Sequence, residues 1–327
     1  MTRKINNSYE LGQSNAPDTG GDMLKTRADG TLVWEGVADT TFVPWVFQGS
    51  NYGFTSGGAI SYSNVIDRFA FSSNTTATDW GNLTVTRGYV SGQSSSTDGF
   101  TSGGYTGTRQ DTIDKFSFTS SSGASDHGDL SVARASPTGQ SSTSEGFISG
   151  GNDNSGLSNV IDKFSFSSNT TASDHGDLSV ARENMSGQSS SDSGFTSGGD
   201  NGVAQLNTID KFSFSSNVTA SDHGDLSVTR APYAGQSSST QGFSSGGYDN
   251  TNVIDKFDYA SNTTASDHGD LQSNRSGSTG QSATDYGFCS GGSGINTIDK
   301  FAFSSNTTAS DHGDLSVIRQ KPAGTQY

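Results

Sequence analysis

A chain of 327 residues with a formal net charge of −15 offers phosphate backbones no cationic face, which argues against a nucleic-acid partner. Hydrophobic residues are only 29% and glycines number 43, a balance that reads as disorder unless apolar residues recur at fixed phases. A single cysteine, Cys289, excludes an internal disulfide and stands at a strand position as an inert variant of Thr or Ser.

In chain order, residues 1–22 are polar and read as a flexible or partner-ordered arm. Met1-Thr2-Arg3-Lys4 leads into polar residues and not into an apolar core, so no signal peptide or membrane insertion is expected and synthesis is placed in a cytoplasm. Met23–Arg27 and Thr31–Glu35 flank Ala28-Asp29-Gly30, a hairpin signal. This hairpin carries Leu24, Leu32, Val33 and Trp34, more apolar surface than an isolated two-stranded ribbon can hide, so a partner or a second copy is expected to cover it. Residues 1–44 are therefore assigned as an attachment arm and 45–327 as the main domain.

From Trp45 onward one unit recurs six times. Its aspartate returns as Asp67, Asp114, Asp162, Asp210, Asp255 and Asp299, at steps of 47, 48, 48, 45 and 44 residues. A period of this size with several strand-like runs inside it predicts an all-β, six-bladed β-propeller. Each unit offers a small polar first strand (Gly92–Ser96), a second ending in a double glycine (Gly99–Ser102, then Gly103-Gly104), and a third with apolar alternation (Thr112–Phe118). Leu130–Arg134 is predicted as the fourth. The double glycine suits a sharp turn or positive φ. Length varies only between that pair and the third strand, which places this loop on the surface. Closing the ring requires one blade to combine both chain ends. Either Gln320–Tyr327 or Trp45–Gly49 supplies the innermost strand of blade 1.

The repeated side chains are first of all scaffold. Twelve of the 18 basic residues are six that follow the aspartate and the six arginines Arg87, Arg134, Arg182, Arg230, Arg275 and Arg319. Asp162 shares a strand face with Val160, Phe164 and Phe166, so a buried carboxylate needs an arginine or backbone N–H donors. A catalytic carboxylate is the rival, disfavoured because a reaction centre is not copied six times. His127, His175, His223, His268 and His312, with Trp80 at the sixth place, read as packing or turn-bonding residues before metal ligands, since each belongs to a different blade. Gln93, Gln140, Gln188, Gln236 and Gln281 either line the channel for a polar ligand or bond backbone and water. The Asn-Thr-Thr runs from Asn74, Asn169, Asn262 and Asn306 read as turns and not as glycosylation sites.

The strand ending in Gly-Gly, the Thr-Ile-Asp-Lys-Phe strand, the His-Gly-Asp-Leu step and the closing arginine resemble a kelch repeat over roughly 46–319. Trp80 alone keeps the tryptophan of that motif. Residues 24–34, Leu-Lys-Thr-x-x-Asp-Gly-Thr-Leu-x-Trp, are similar to segments of tailed-phage structural proteins, especially fibres. Together these resemblances imply a virion structural protein, a fibre, tail or capsid-surface component. It would be held by other virion proteins through its arm within an oligomeric assembly and would meet a glycan or protein of the host surface. A cytoplasmic interaction scaffold is the alternative. No enzyme activity and no cofactor are expected, because no single blade holds a unique acid, base and nucleophile.

Overall fold

Strand pairing within each repeat follows from its residues. Gly-Phe-Thr-Ser and Thr-Ile-Asp-Lys-Phe-type runs lie next to each other in sequence and alternate apolar with polar side chains, so they pair antiparallel through the intervening loop. The computed structural model describes 48–249 and 251–327 in full and the backbone of 22–26 and 32–36. The described residues contain strands and no helix.

Residues Trp45–Tyr327 form one unit. Its described sheets are six four-stranded antiparallel blades and one two-stranded ribbon, Asn152–Asp153 with Gly156–Leu157, in the loop between the second and third strands of blade 3. From the inside outward, blade 2 is Ser91–Ser94, Asp98–Ser102, Thr112–Ser117 and Ser125–Asp129. Blades 3, 4, 5 and 6 repeat this order from innermost strands Thr138–Ser141, Ser186–Ser189, Ala234–Ser237 and Thr279–Ser282. Blade 1 takes its innermost strand from the other end of the chain: Ala323–Gln326 pairs with Tyr52–Ser56, which leads to Val65–Ala70 and Thr78–Asn82. Ring closure thus falls to the tail, and Gly49 makes only a single bridge to Ala283.

The fourth strand differs from expectation. The outermost strand is Ser-Asp-His-Gly-Asp (Ser173–Asp177 in blade 3), and Leu-Ser-Val-Ala-Arg is an irregular connector to the next blade. The alternation that made Leu130–Arg134 look like a strand is real. Leu130 is buried and Val132 is 50% exposed, because the connector crosses the seam between two blades with one side inward.

That seam is where the core lies. Each blade sends a Phe, an Ile and a Leu against two aromatic rings and an alanine of the following blade. Phe147, Ile161 and Leu178 meet Phe212, Phe214 and Ala220, and Phe288, Ile298 and Leu315 meet Phe69, Phe71 and Ala77 across the closing seam. Phe147 stacks on Phe214 at 4.7 Å between centroids, and the Phe195–Tyr259 and Phe243–Phe303 seams repeat the geometry at 4.6 Å. Each fully buried ring contributes on the order of 1.5–3 kcal/mol, and none can be buried by a blade on its own.

Along the axis the innermost strands approach so closely that only glycine fits. A Cβ on Gly92, Gly139, Gly187, Gly235, Gly280 or Gly324 would lie 2.1–2.3 Å from the carbonyl oxygen of the matching glycine in a neighbouring blade. The free strand edges are satisfied around the ring by serine: Ser141 N–H donates to Ser189 Oγ and Ser189 N–H to Ser237 Oγ. The double glycines take positive φ, 65° and 112° at Gly103 and Gly104, except that Gly247 continues the strand in blade 5.

The Met1–Pro44 unit contains Asp22–Thr26 paired antiparallel with Leu32–Gly36, in a register that sets Leu24 opposite Trp34. The exposure expected of Leu24, Leu32, Val33 and Trp34 lies outside the described residues.

Removal of Ala323–Tyr327 takes away the innermost strand of blade 1 and leaves the Phe54 seam and a sheet edge open. The melting temperature should fall by more than about 10 °C. An unchanged thermal transition would show that the tail does not close the ring.

Candidate functional site at the channel mouth

The repeated aspartates and arginines do meet, and they do so between blades. Arg87 pairs with Asp114 at 3.2 Å, Arg134 with Asp162 at 2.9 Å, Arg182 with Asp210 at 3.0 Å, Arg230 with Asp255 at 3.2 Å and Arg275 with Asp299 at 2.5 Å. Arg319 pairs with Asp67 at 2.8 Å and closes the circle. All twelve side chains are at most 2% exposed. The connector that carries the arginine also brings a serine: Ser131 donates its N–H (3.0 Å) and its hydroxyl (2.7 Å) to Asp162. The guanidinium of Arg134 further donates to the carbonyl of Ile148 at 3.1 Å. Burial presses Arg87, Arg134, Arg182, Arg230 and Arg319 below the ordinary arginine range, and the paired aspartate opposes it.

Histidine and glutamine are used in the same way. The five histidines each direct Nε2 at a main-chain carbonyl of the next blade: Ser165, Ser213, Asp258, Ala302 and Ala70, at 2.8–2.9 Å. Trp80 does the same with Nε1 to Ser117 at 2.9 Å, so one N–H donor serves at all six places. A donating Nε2 also suits a neutral ring, and burial lowers the pKa of His268 and His312. Gln140 donates to the carbonyl of Phe195 at 3.0 Å and accepts from Ser149 at 2.9 Å. The glutamines are buried in the seams and do not line the channel, which belongs to the glycines one residue earlier. Asn169 bonds the Asp126 carbonyl of the preceding blade, so these asparagines link blades as well as turn the chain. Cys289 is fully buried, and burial raises its thiol pKa.

Among the positions that the repeat leaves unspecified is the column two residues after each arginine: Tyr89, Ser136, Asn184, Pro232, Gly277 and Lys321. These residues ring the channel mouth, on the face that also carries the loops between second and third strands. Four of them are held at positive φ without being glycine or proline: Tyr89 at 59°, Ser136 at 56°, Asn184 at 59° and Lys321 at 51°. The conformation aligns a chain of peptide bonds around the mouth. Lys321 N–H donates to Gly277, Tyr89 to Lys321, Ser136 to Tyr89 and Asn184 to Ser136. Pro232 has no N–H to continue it, and there the positive φ moves to Tyr233 (58°).

The side chains of this ring converge above the glycine collar on a cavity of about 70 Å³. Lys321 enters from the connector into blade 1 and reaches across the axis to Asn184, which enters blade 4 directly opposite, with Nζ 3.3 Å from Oδ1. Its ammonium lies over two tyrosine rings, 4.4 Å from the centroid of Tyr89 and 5.0 Å from that of Tyr233. The Tyr233 hydroxyl is buried without a hydrogen-bond partner. Burial lowers the pKa of Lys321 to about 8, opposed by the charge of Glu183, and burial pushes Tyr233 well above the ordinary tyrosine range. Outside this cavity, Tyr89 meets Tyr105 at 6.3 Å and Tyr105 meets Tyr62 at 6.1 Å, an aromatic track that leads outward. A shallow hollow beside it is lined by Arg109, Asn152 and Glu183. Arg109 donates to the Asn152 side chain and, at 2.8 Å, to its carbonyl.

A search for a unique cluster within a single blade misses this site, which the connectors at all six blade junctions assemble jointly. The available signal was the variable connector segment after each arginine, such as Tyr89, Asn184 and Lys321, set between repeated strands. No protein-family model and no curated protein matches the chain in sequence.

Replacing Asp162 by Ala leaves Arg134 buried and unpaired and should cost about 3–5 kcal/mol in denaturant unfolding. The Asp162→Leu/Arg134→Met double variant should recover most of that loss. A cost below about 1 kcal/mol for the single change would refute the inter-blade pair as a determinant of stability. Lys321 holds its proton less tightly folded than unfolded, so the native state gains stability as pH rises from about 8 toward 10.5. Lys321→Met should therefore unfold later than the parent protein at pH 7, by about 1–2 kcal/mol, with the advantage gone near pH 10.5. A variant less stable at pH 7 would contradict the assignment of a desolvated charge.

Proposed function

We propose that this propeller is a non-enzymatic adhesion protein of a tailed-phage virion, carried on the particle by its N-terminal segment, and that it binds a glycan of the host surface with its connector-and-loop face. The observation that carries the binding face is the aromatic track. Tyr62 is 40% exposed and Tyr248 60% exposed, both on the variable loops around the channel mouth, with Tyr105 and Tyr89 between Tyr62 and the funnel. A tyrosine ring gives a flat apolar surface for the C–H face of a sugar, and its hydroxyl keeps a polar handle at the edge. Arg109, Asn152 and Glu183 supply the few fixed donors and acceptors that orient such a ligand in a shallow hollow. The scaffold beneath is rigid, and the binding residues stand on loops whose length differs from blade to blade, the common division of labour between framework and recognition surface. The virion assignment rests on the likeness of residues 24–34 to fibre segments and on the kelch-like blade motif.

Binding of the labelled protein to a panel of bacterial cells tests this. The Tyr62→Ala/Tyr105→Ala/Tyr248→Ala variant should lose at least ten-fold in cell binding while its thermal transition stays within about 3 °C of the parent protein. Binding that survives both these changes and periodate oxidation of the cell-surface sugars would contradict a glycan-binding face.

A further inference from the structure

The funnel at the channel mouth holds two polar groups whose hydrogen-bonding capacity is not used. Lys321 carries three N–H donors, of which Asn184 takes one at 3.3 Å. No carboxylate among the described residues lies within ion-pair distance of its ammonium, in contrast to the six buried arginines. The Tyr233 hydroxyl, on the neighbouring wall, is buried with no partner at all. A buried hydroxyl without a partner is costly and marks a place where a further group belongs. The glycine collar lies beneath these groups, and the connectors from the loop-bearing face surround them.

Both free groups are donors toward an incoming oxygen, and one is cationic. We propose that the funnel is an oxyanion subsite, in which Lys321 Nζ and Tyr233 Oη take the carboxylate or sulfate-type group of an acidic saccharide whose ring rests on the tyrosine track. This rests on the glycan-binding reading above and specifies its ligand as acidic. The two tyrosines fit the role beyond their contact with the ligand. By lying against the ammonium they hold the lysine side chain across the axis, so its conformational entropy is lost before binding and not during it. Glu183 beside the funnel works against an anion. Burial raises its pKa, and Lys321 and Arg109 counter that shift.

Isothermal titration of the full chain at pH 7 with D-glucuronate, D-glucose and sodium sulfate separates the possibilities. Glucuronate should bind at least ten-fold tighter than glucose. Lys321→Met should remove that preference, Lys321→Arg should keep it in part, and Tyr233→Phe, which retains the ring, should weaken glucuronate three-fold or more. Sulfate that competes with glucuronate supports the oxyanion subsite and shows that the charged group alone suffices to fill it. Glucose and glucuronate binding equally, with Lys321→Met without effect, would overturn the acidic ligand and leave the glycan-binding face standing. Glucuronate binding that is unchanged in both Lys321→Met and Tyr233→Phe would overturn the subsite as placed. If none of the three probes binds, the subsite is overturned, and the cell-binding experiment with the tyrosine variant still decides the broader reading.

Discussion

The arginine–aspartate pair buried between adjacent blades is the constraint on which the remaining structure depends. Neither charge tolerates that environment without the other, so a seam closes only when the two blades bring both halves of the ion pair. Each blade contributes an aspartate to the neighbour before it and an arginine to the neighbour after it, and the set is complete only when Arg319 reaches Asp67. The irregular Leu-Ser-Val-Ala-Arg connector follows from this. A continuing fourth strand would carry Ser131 and Arg134 outward, away from the carboxylate that both must reach. The histidine and glutamine bonds run in the same direction, from one blade to the next, and stitch the outer and inner margins of a seam that the ion pair anchors at mid-depth.

A ring built this way is free to vary where none of these bonds are made. The channel mouth is such a place. Its peptide groups are fixed by the chain of hydrogen bonds through Tyr89, Ser136 and Asn184, and its side chains are not needed by any seam. Tyrosine, asparagine and lysine in the left-handed region are each slightly unfavourable, and a lysine taken largely out of water is more so. These costs gather in one funnel, beside seams in which each buried arginine has its aspartate. That is the pattern expected of a site kept for binding and not for stability.

Much of the scaffold was legible in the sequence because a propeller repeats its own reasoning. The aspartate period counts the blades, the alternation in Thr-Ile-Asp-Lys-Phe marks the third strand, and Gly103-Gly104 marks a turn of positive φ. Three features were not legible, each for a physical reason. Arg87 stands 20 residues from Asp67 and 27 from Asp114, and it pairs with the farther one, because spacing along a chain does not say which way a connector bends. The closing strand was ambiguous because Thr325 stands where the other blades carry glutamine, so its likeness to the other innermost strands is reduced to Ala323 and Gly324. The channel-mouth site was hidden because its members lie up to 232 residues apart (321 − 89) and only the ring closure brings them together.

The central claim is that the six seams are scaffold and that recognition belongs to the connector-and-loop face. Hydrogen–deuterium exchange of the full chain, with and without the envelope polysaccharide extracted from a cell that it binds, tests this most directly. The account predicts slowed exchange in residues 103–111, 231–234 and 319–322, with no change in the turns between third and outermost strands, such as 118–124. Protection confined to those turns, on the opposite face of the ring, would contradict it.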